Sequence, residues 1–183
     1  MIADKVWGTK LALIVIDPQR KFTIASPDWE SKRDAAVKGI NAYTALFREY
    51  GMPVVFVRYE GTSHTGYSGD DAEEWLQGIE TSPEDVIFTK RNMSCFKQSD
   101  FPEVIRNLGA DTIILCGMLT EFCVVSTYFT AGEHSFVAYL AKDALLAYGP
   151  EGNQAAYTLC NTVDTGVLRT FFDGKQEPFG EMF

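Results

Sequence analysis

Asp17, Lys90 and Cys123 are the three residues of this 183-residue chain whose types and surroundings could combine into covalent chemistry. Asp17 closes the apolar run Leu11 to Ile16, and Lys90 closes Val86 to Thr89. Cys123 ends the segment Gly117-Met-Leu-Thr-Glu-Phe-Cys123, which follows Thr112 to Cys116. A thiol near the start of a helix lies at the positive end of the dipole, among free backbone N–H groups, and both lower its pKa. Lys90 could push the same way. A carboxylate at Asp17 could take the thiol proton and later hand it to a leaving amine, the acid–base half of nucleophilic catalysis. Singly, each residue has a plainer reading: Asp17-Pro18 as a turn, Lys90 as a solvated lysine, Cys123 as a small buried hydrophobe.

The elements that would bring these residues together follow from hydrophobic patterning. Leu11 to Ile16 is apolar at every position, as suits a strand buried on both faces of a parallel sheet. Lys32 to Tyr50 places Ala36, Ile40, Tyr43, Ala45, Leu46 and Phe47 near one helical face, with Gly51 at the exit and Pro53 beyond. Further strands are expected at Val54 to Val57, Val86 to Thr89, Thr112 to Cys116 and Phe136 to Leu140. Helices are expected at Ser99 to Leu108 and near Gln154 to Thr162, with a last strand at Gly166 to Thr170. Alternating short strands and amphipathic helices imply βαβ units with right-handed crossovers. Ligands of open parallel sheets bind outside the carboxyl ends of the strands, where all three residues fall. The long polar stretch Tyr59 to Pro83 reads as an elaborated loop or flap, with Trp75 and Leu76 anchoring it in a short helix.

Composition narrows the classes. With 46% apolar and 22% charged residues the chain suits a packed globule, and its length suits a single domain over 1–183. A net charge of −9 without a Lys/Arg cluster argues against nucleic acid. No apolar run nears the roughly 20 residues of a membrane span, and Met1 to Lys10 lacks a signal-peptide pattern, so a cytoplasmic protein is expected. The four cysteines, at 95, 116, 123 and 160, form no CxxC pair and have no neighbouring histidines, and a reducing compartment suits them.

Three segments together resemble the isochorismatase-like cysteine hydrolase superfamily, which includes nicotinamidases and N-carbamoylsarcosine amidases. Ala12-Leu-Ile-Val-Ile-Asp-Pro-Gln-Arg-Lys-Phe22 is similar to that family's strand ending in Asp-x-Gln-x-x-Phe. Phe88-Thr-Lys-Arg-Asn-Met-Ser-Cys-Phe96 is similar to its Lys-x-x-x-Ser-x-Phe. Leu115-Cys-Gly-Met-Leu-Thr-Glu-Phe-Cys-Val-Val-Ser-Thr127 is similar to Gly-x-x-Thr-x-x-Cys-Val-x-x-Thr around its nucleophile. The resemblance covers about residues 11 to 145. It implies a three-layer α/β/α sandwich around a mostly parallel six-stranded sheet, with Asp17 as base, Lys90 as its partner and Cys123 as nucleophile. It also implies a cis peptide between Met118 and Leu119, an oxyanion hole from the backbone N–H groups of Leu119 and Cys123, bracing by Thr120, and a homo-oligomer. A small amide would then be hydrolysed through a Cys123 thioester without a cofactor.

The sequence departs from the nicotinamidases of that superfamily, whose metal-binding Asp-x-His-x-x-x-x-x-His type motif follows the second strand. Here the stretch is Arg58-Tyr-Glu-Gly-Thr-Ser-His64, and the only other histidine is His134, so no metal site is expected. Isochorismatases of the superfamily generally lack the nucleophilic cysteine that this chain keeps, which favours an acyl substrate. By position, Gln19, Phe22, Tyr59, Trp75 and Phe122 are candidate pocket residues, apolar walls with few polar groups suiting small ligands. Glu121 equally suits an early-helix acid favoured by the dipole. Two other readings stay open: a vinyl-ether hydrolase on the same fold, and a binding module whose Cys123 senses oxidants.

Overall fold

The computed structural model describes residues 10–174 apart from 63, 64, 66, 68 and 99. β1 (Leu11–Ile16) is buried along its whole length. It pairs in parallel with β2 (Val54–Tyr59) on one side and β4 (Thr112–Met118) on the other. β3 (Val86–Lys90) lies outside β2, while β5 (Val137–Leu146) and the short β6 (Thr162–Val163) follow β4. The order β3-β2-β1-β4-β5-β6, parallel throughout, makes the chain wind outward from β1 and then cross back to β4. The switch point therefore lies between the carboxyl ends of β1 and β4, the crevice where doubly wound sheets bind ligands.

Side-chain alternation along β1 divides the core. Ala12, Ile14 and Ile16 join Phe101 and Ile105 of α2 (Phe101–Asn107), Ala131 of α3 (Val125–Ala131) and Ala156 of α4 (Gly152–Leu159). Leu11, Leu13 and Val15 face Ile40, Tyr43 and Phe47 of α1 (Trp29–Glu49) and Leu168 of α5 (Thr165–Phe172). The sheet is thus the middle of three layers. Each fully buried aliphatic side chain contributes about 1.5–3 kcal/mol, so a polar residue in β1 is disfavoured on either face. A third apolar group, including Trp29, Val37, Leu76, Met118, Leu119 and Leu146, closes the carboxyl ends of β4 and β5.

Several expectations need correction. Gly166 to Thr170 is helical, within α5, and the sixth strand is Thr162–Val163 instead. The helix is set by Asp164, whose side chain accepts the Val167 N–H at the N-cap. Trp75 and Leu76 are not in a helix. Trp75 makes an isolated antiparallel bridge with Gln19, and the Leu76 N–H donates to the Pro18 carbonyl. β5 runs six residues beyond Leu140, through an irregularity at the exposed Lys142 and Asp143, where Asp143 has φ 62°. α1 passes so close to this kink that a Cβ on Gly39 would sit 1.9 Å from the Asp143 carbonyl oxygen. The helix expected from Ser99 begins at Phe101 among the described residues, and Gly109, with φ 77°, ends it as expected.

Candidate active site

Asp17 directly follows β1, with its N–H donating to the Val57 carbonyl of β2 at 3.0 Å. Its φ of 46° is unusual for a residue with a side chain, and here the backbone leaves the sheet. Lys90 is the last residue of β3, and Cys123 lies in a single π-helical turn, Thr120–Val124, between β4 and α3. Asp17 and Lys90 are completely buried and Cys123 keeps 9% of its surface exposed.

Lys90 Nζ lies 2.6 Å from Asp17 Oδ2. It also donates to the carbonyl oxygens of Asn92, at 2.9 Å, and Met93, at 3.0 Å. Three partners match the three donors of an ammonium, so the cation has a fixed direction. The carboxylate is less well served: beyond the Lys90 ammonium and the neighbouring Cys123 thiol neither oxygen has a partner among the described residues, leaving the ion pair to offset its burial. Burial pushes the Asp17 carboxyl up to about 6, while Lys90 and, less strongly, the Cys123 thiol and Lys21 pull it down. Burial also works against the charge on Lys90, but Asp17 and the thiols of Cys123 and Cys95 outweigh it and raise its pKa.

The thiol does not behave as the sequence alone suggests. Burial, followed by the Asp17 charge, pushes the Cys123 thiol up to about 12, and Lys90 offsets only part of this. Proximity to a helix start does not yield a resting thiolate because the low-dielectric surroundings and an adjacent carboxylate favour the neutral form. The arrangement at neutral pH is therefore a neutral thiol beside an ionised carboxylate and an ammonium.

The turn carrying Cys123 is braced on several sides. The Met118–Leu119 peptide is cis. Gly117, with φ 107°, lies so close to β1 that a Cβ there would sit 2.1 Å from the Ile16 carbonyl oxygen. Any side chain would push β1 and β4 apart at the switch point. Thr120 Oγ1 bonds Asn153 Oδ1 at 2.7 Å, and Asn153 Nδ2 donates to the Leu145 carbonyl. Glu121 accepts the N–H groups of Tyr148 and Gly149. Thr127 Oγ1 donates to the Cys123 carbonyl at 2.7 Å and accepts the Cys95 N–H at 3.1 Å. A hydrogen bond of 2.6 Å between Ser94 and Thr130 adds a second tie. The loop holding Lys90's carbonyl partners is thereby fastened to the helix after Cys123. These positioning roles of Ser94, Glu121, Thr127 and Asn153 were not read from the sequence as such, though Ser94 and Thr127 stand within the motifs that carry the resemblance.

The candidate pocket residues divide. Tyr59 and Phe22 come to the site: the Tyr59 ring centroid is 5.0 Å from Lys90 Nζ and 5.7 Å from the Phe22 ring. Gln19 is fully buried, its amide donating to the Tyr59 carbonyl and Glu73 and accepting the Tyr59 N–H, so it braces β2 against the long loop. Lys21, 2% exposed, adds donations to the Tyr59 and Gly61 carbonyls and an ion pair with Glu73. Trp75 instead packs on Phe56 and under Arg58, with the core on the face opposite Cys123. Phe122 is 42% exposed and meets Tyr148 edge to face. His134 stacks on Phe96, and His64 lies outside the described residues. Among the described residues no three His, Cys, Asp or Glu side chains gather as a metal-binding group. A surface hollow of about 230 Å³ bordered by Thr23, Trp29, Tyr67 and Leu76 includes none of the three central residues.

The parallel doubly wound sheet, with a carboxylate, an ammonium and a thiol at its switch point, places the chain in the α/β class. The chain belongs to the isochorismatase family, matching the isochorismatase domain over residues 11–168. It is 31% identical over 160 residues to the uncharacterized isochorismatase family protein YecD of Escherichia coli O157:H7, covering 76% of this chain and 81% of that one. Among solved structures it is similar to the pyrazinamidase of Pyrococcus horikoshii in complex with zinc, with TM-score 0.71, 24% identity and 85% and 99% of the two chains covered. It is also similar to the N-carbamoylsarcosine amidase of Thermoplasma acidophilum, with TM-score 0.69, 24% identity and 85% and 95% covered.

Proposed function

We propose that this isochorismatase-family hydrolase acts on a small amide through a Cys123 thioester, with Asp17 as base and Lys90 as the cation that keeps it charged. The observation that carries this reading is the buried Asp17–Lys90 pair, 2.6 Å apart, acting on the Cys123 thiol at the switch point. The names of the pyrazinamidase and N-carbamoylsarcosine amidase neighbours support amide chemistry in general.

In this mechanism Asp17 accepts the thiol proton as sulfur attacks the acyl carbon, because a thiol pushed up to about 12 is scarcely ionised on its own at neutral pH. The oxyanion that forms is stabilised by the backbone N–H groups of Leu119 and Cys123. The C–N bond breaks as Asp17 returns its proton to the leaving ammonia or amine. Asp17 then deprotonates a water that attacks the thioester, and the carboxylate's proton goes back to sulfur as the acid product leaves. Lys90 stays protonated throughout.

The test is a panel of small amides and ureas assayed for ammonia release by wild type, Cys123→Ala and Asp17→Asn. Release by wild type that falls by at least about 10²-fold in both variants is expected. Equal release by wild type and Cys123→Ala would sink the acyl-enzyme reading. Pyruvate release from isochorismate that survives Cys123→Ala would assign vinyl-ether cleavage instead.

A further inference from the structure

The turn that carries Cys123 is fastened to the β5–α4 loop by one carboxylate. Glu121 Oε2 accepts the Tyr148 N–H at 2.8 Å and Oε1 accepts the Gly149 N–H at 2.7 Å, so each oxygen takes a backbone donor 27 or 28 residues away. Bonds from N–H groups to an ionised carboxylate are stronger than neutral ones, and two from consecutive peptides fix orientation as well as distance. The chain makes room for this contact: a Cβ on Gly152 would sit 2.0 Å from Glu121 Oε1. The neighbouring Thr120–Asn153–Leu145 chain of bonds ties the same two segments a second time. Directly above the clamp, Phe122 and Tyr148 meet edge to face with ring centroids 6.1 Å apart.

We propose that Glu121 is a positioning residue for the proposed hydrolysis: its carboxylate clamps the nucleophile turn to the Tyr148–Gly149 loop and so holds the Leu119 and Cys123 N–H groups in the geometry that acyl transfer needs. This rests on the cysteine-hydrolase reading above. Glu121 touches no reacting atom in this scheme and acts through the backbone on either side of it. Asp17 and Lys90 flank the thiol from β1 and β3, and Glu121 ties the turn that carries it to the β5–α4 loop. Losing the clamp leaves the first two in place, so sulfur should keep its intrinsic reactivity while the alignment of the turn suffers. A misplacement of about 1 Å can lower a rate by about 10²-fold.

The experiment compares wild type, Glu121→Ala, Glu121→Gln and Cys123→Ala in three measurements. Acylation is followed as the burst of p-nitrophenolate from p-nitrophenyl acetate. Thiol reactivity is followed as alkylation of Cys123 by iodoacetamide. Backbone coupling is followed as hydrogen exchange at 119–124 and 147–150. Glu121→Ala should acylate about 10- to 100-fold more slowly with KM changed less than about threefold, and alkylate within about threefold of wild type. Exchange should rise in both segments together. Glu121→Gln, whose amide offers one acceptor oxygen for two donors, should fall between wild type and Glu121→Ala. Folded Glu121→Ala that acylates at the wild-type rate would overturn the proposal, as would exchange that rises in neither segment. A wild-type burst that Cys123→Ala also shows would count against the cysteine chemistry itself. With no burst in either protein, the exchange measurement decides whether the clamp exists.

Discussion

Replacing Lys90 by methionine removes a buried ammonium while keeping most of the side-chain volume, and its effect depends on pH in a direction the site dictates. Asp17 has its folded pKa raised from 3.8 to about 6, burial being the main cause. A raised acid pKa means that the native state prefers the protonated carboxyl. The stability this lends is complete below the ordinary carboxylate pKa and is lost as pH rises through about 6. At about 1.36 kcal/mol per pKa unit, keeping Asp17 ionised costs the wild-type fold roughly 3 kcal/mol. Without Lys90 nothing of comparable strength pulls the carboxyl down, so its folded pKa rises further and the window of loss widens upward. Removing one partner of a buried ion pair typically costs about 3–5 kcal/mol. A smaller, pH-independent loss of about 1–2 kcal/mol in total should accompany it, because the part-buried carbonyls of Asn92 and Met93 lose their donor. Urea unfolding of Lys90→Met at pH 5 and pH 8 should show the larger deficit at pH 8. The acid limb of kcat/KM, expected near the Asp17 pKa of about 6 in wild type, should move to higher pH in the variant. An equal deficit at both pH values together with an unmoved acid limb would refute the assignment of Lys90 as the partner of Asp17.

Gly117→Ala should lower stability by more than about 4 kcal/mol, and Tm by roughly 10 °C or more, because the new Cβ meets the Ile16 backbone and the φ of 107° disfavours any side chain; calorimetry checks this. Gln19→Ala should cost about 1–3 kcal/mol by leaving the half-buried Tyr59 N–H without its acceptor and the Tyr59 carbonyl with Lys21 as its side-chain donor. Limited proteolysis should then cut first between residues 59 and 83 while the sheet stays protected, and an unchanged cleavage pattern would argue that Gln19 does not hold that loop.

β1 was readable from its composition because a strand buried on both faces needs no polar residue, and Leu11 to Ile16 has none. The same holds for Val54 to Val57 of β2 and for Ile113 to Cys116 of β4, which follow the polar Thr112. β5 was readable only to Leu140, since exposed Lys142 and Asp143 interrupt the apolar run where the strand kinks under α1. The misreading of Gly166 to Thr170 has a local cause: a short apolar stretch fits strand or helix alike, and the deciding signal was Asp164 placed three residues before Val167. Within the site, Asp17, Lys90 and Cys123 could be singled out because each stands at, or within a short turn of, the carboxyl end of a strand. The direction of the Cys123 pKa could not, since burial and the Asp17 charge outweigh the helix end and become visible only in three dimensions. Trp75 was misplaced for a related reason. An aromatic in a long loop can pack on either face of a sheet, and the bridge to Gln19 sends this one away from the thiol.

Acylation of Cys123 during turnover can be read by intact-mass analysis of protein quenched in acid while it turns over an amide that wild type hydrolyses. Wild type should show a mass increase equal to the substrate's acyl group, mapped to the peptide containing Cys123, labile to hydroxylamine and absent from Cys123→Ala, which should also be inactive. Turnover of that amide by Cys123→Ala at the wild-type rate, or an acyl group mapped to another residue, would contradict it.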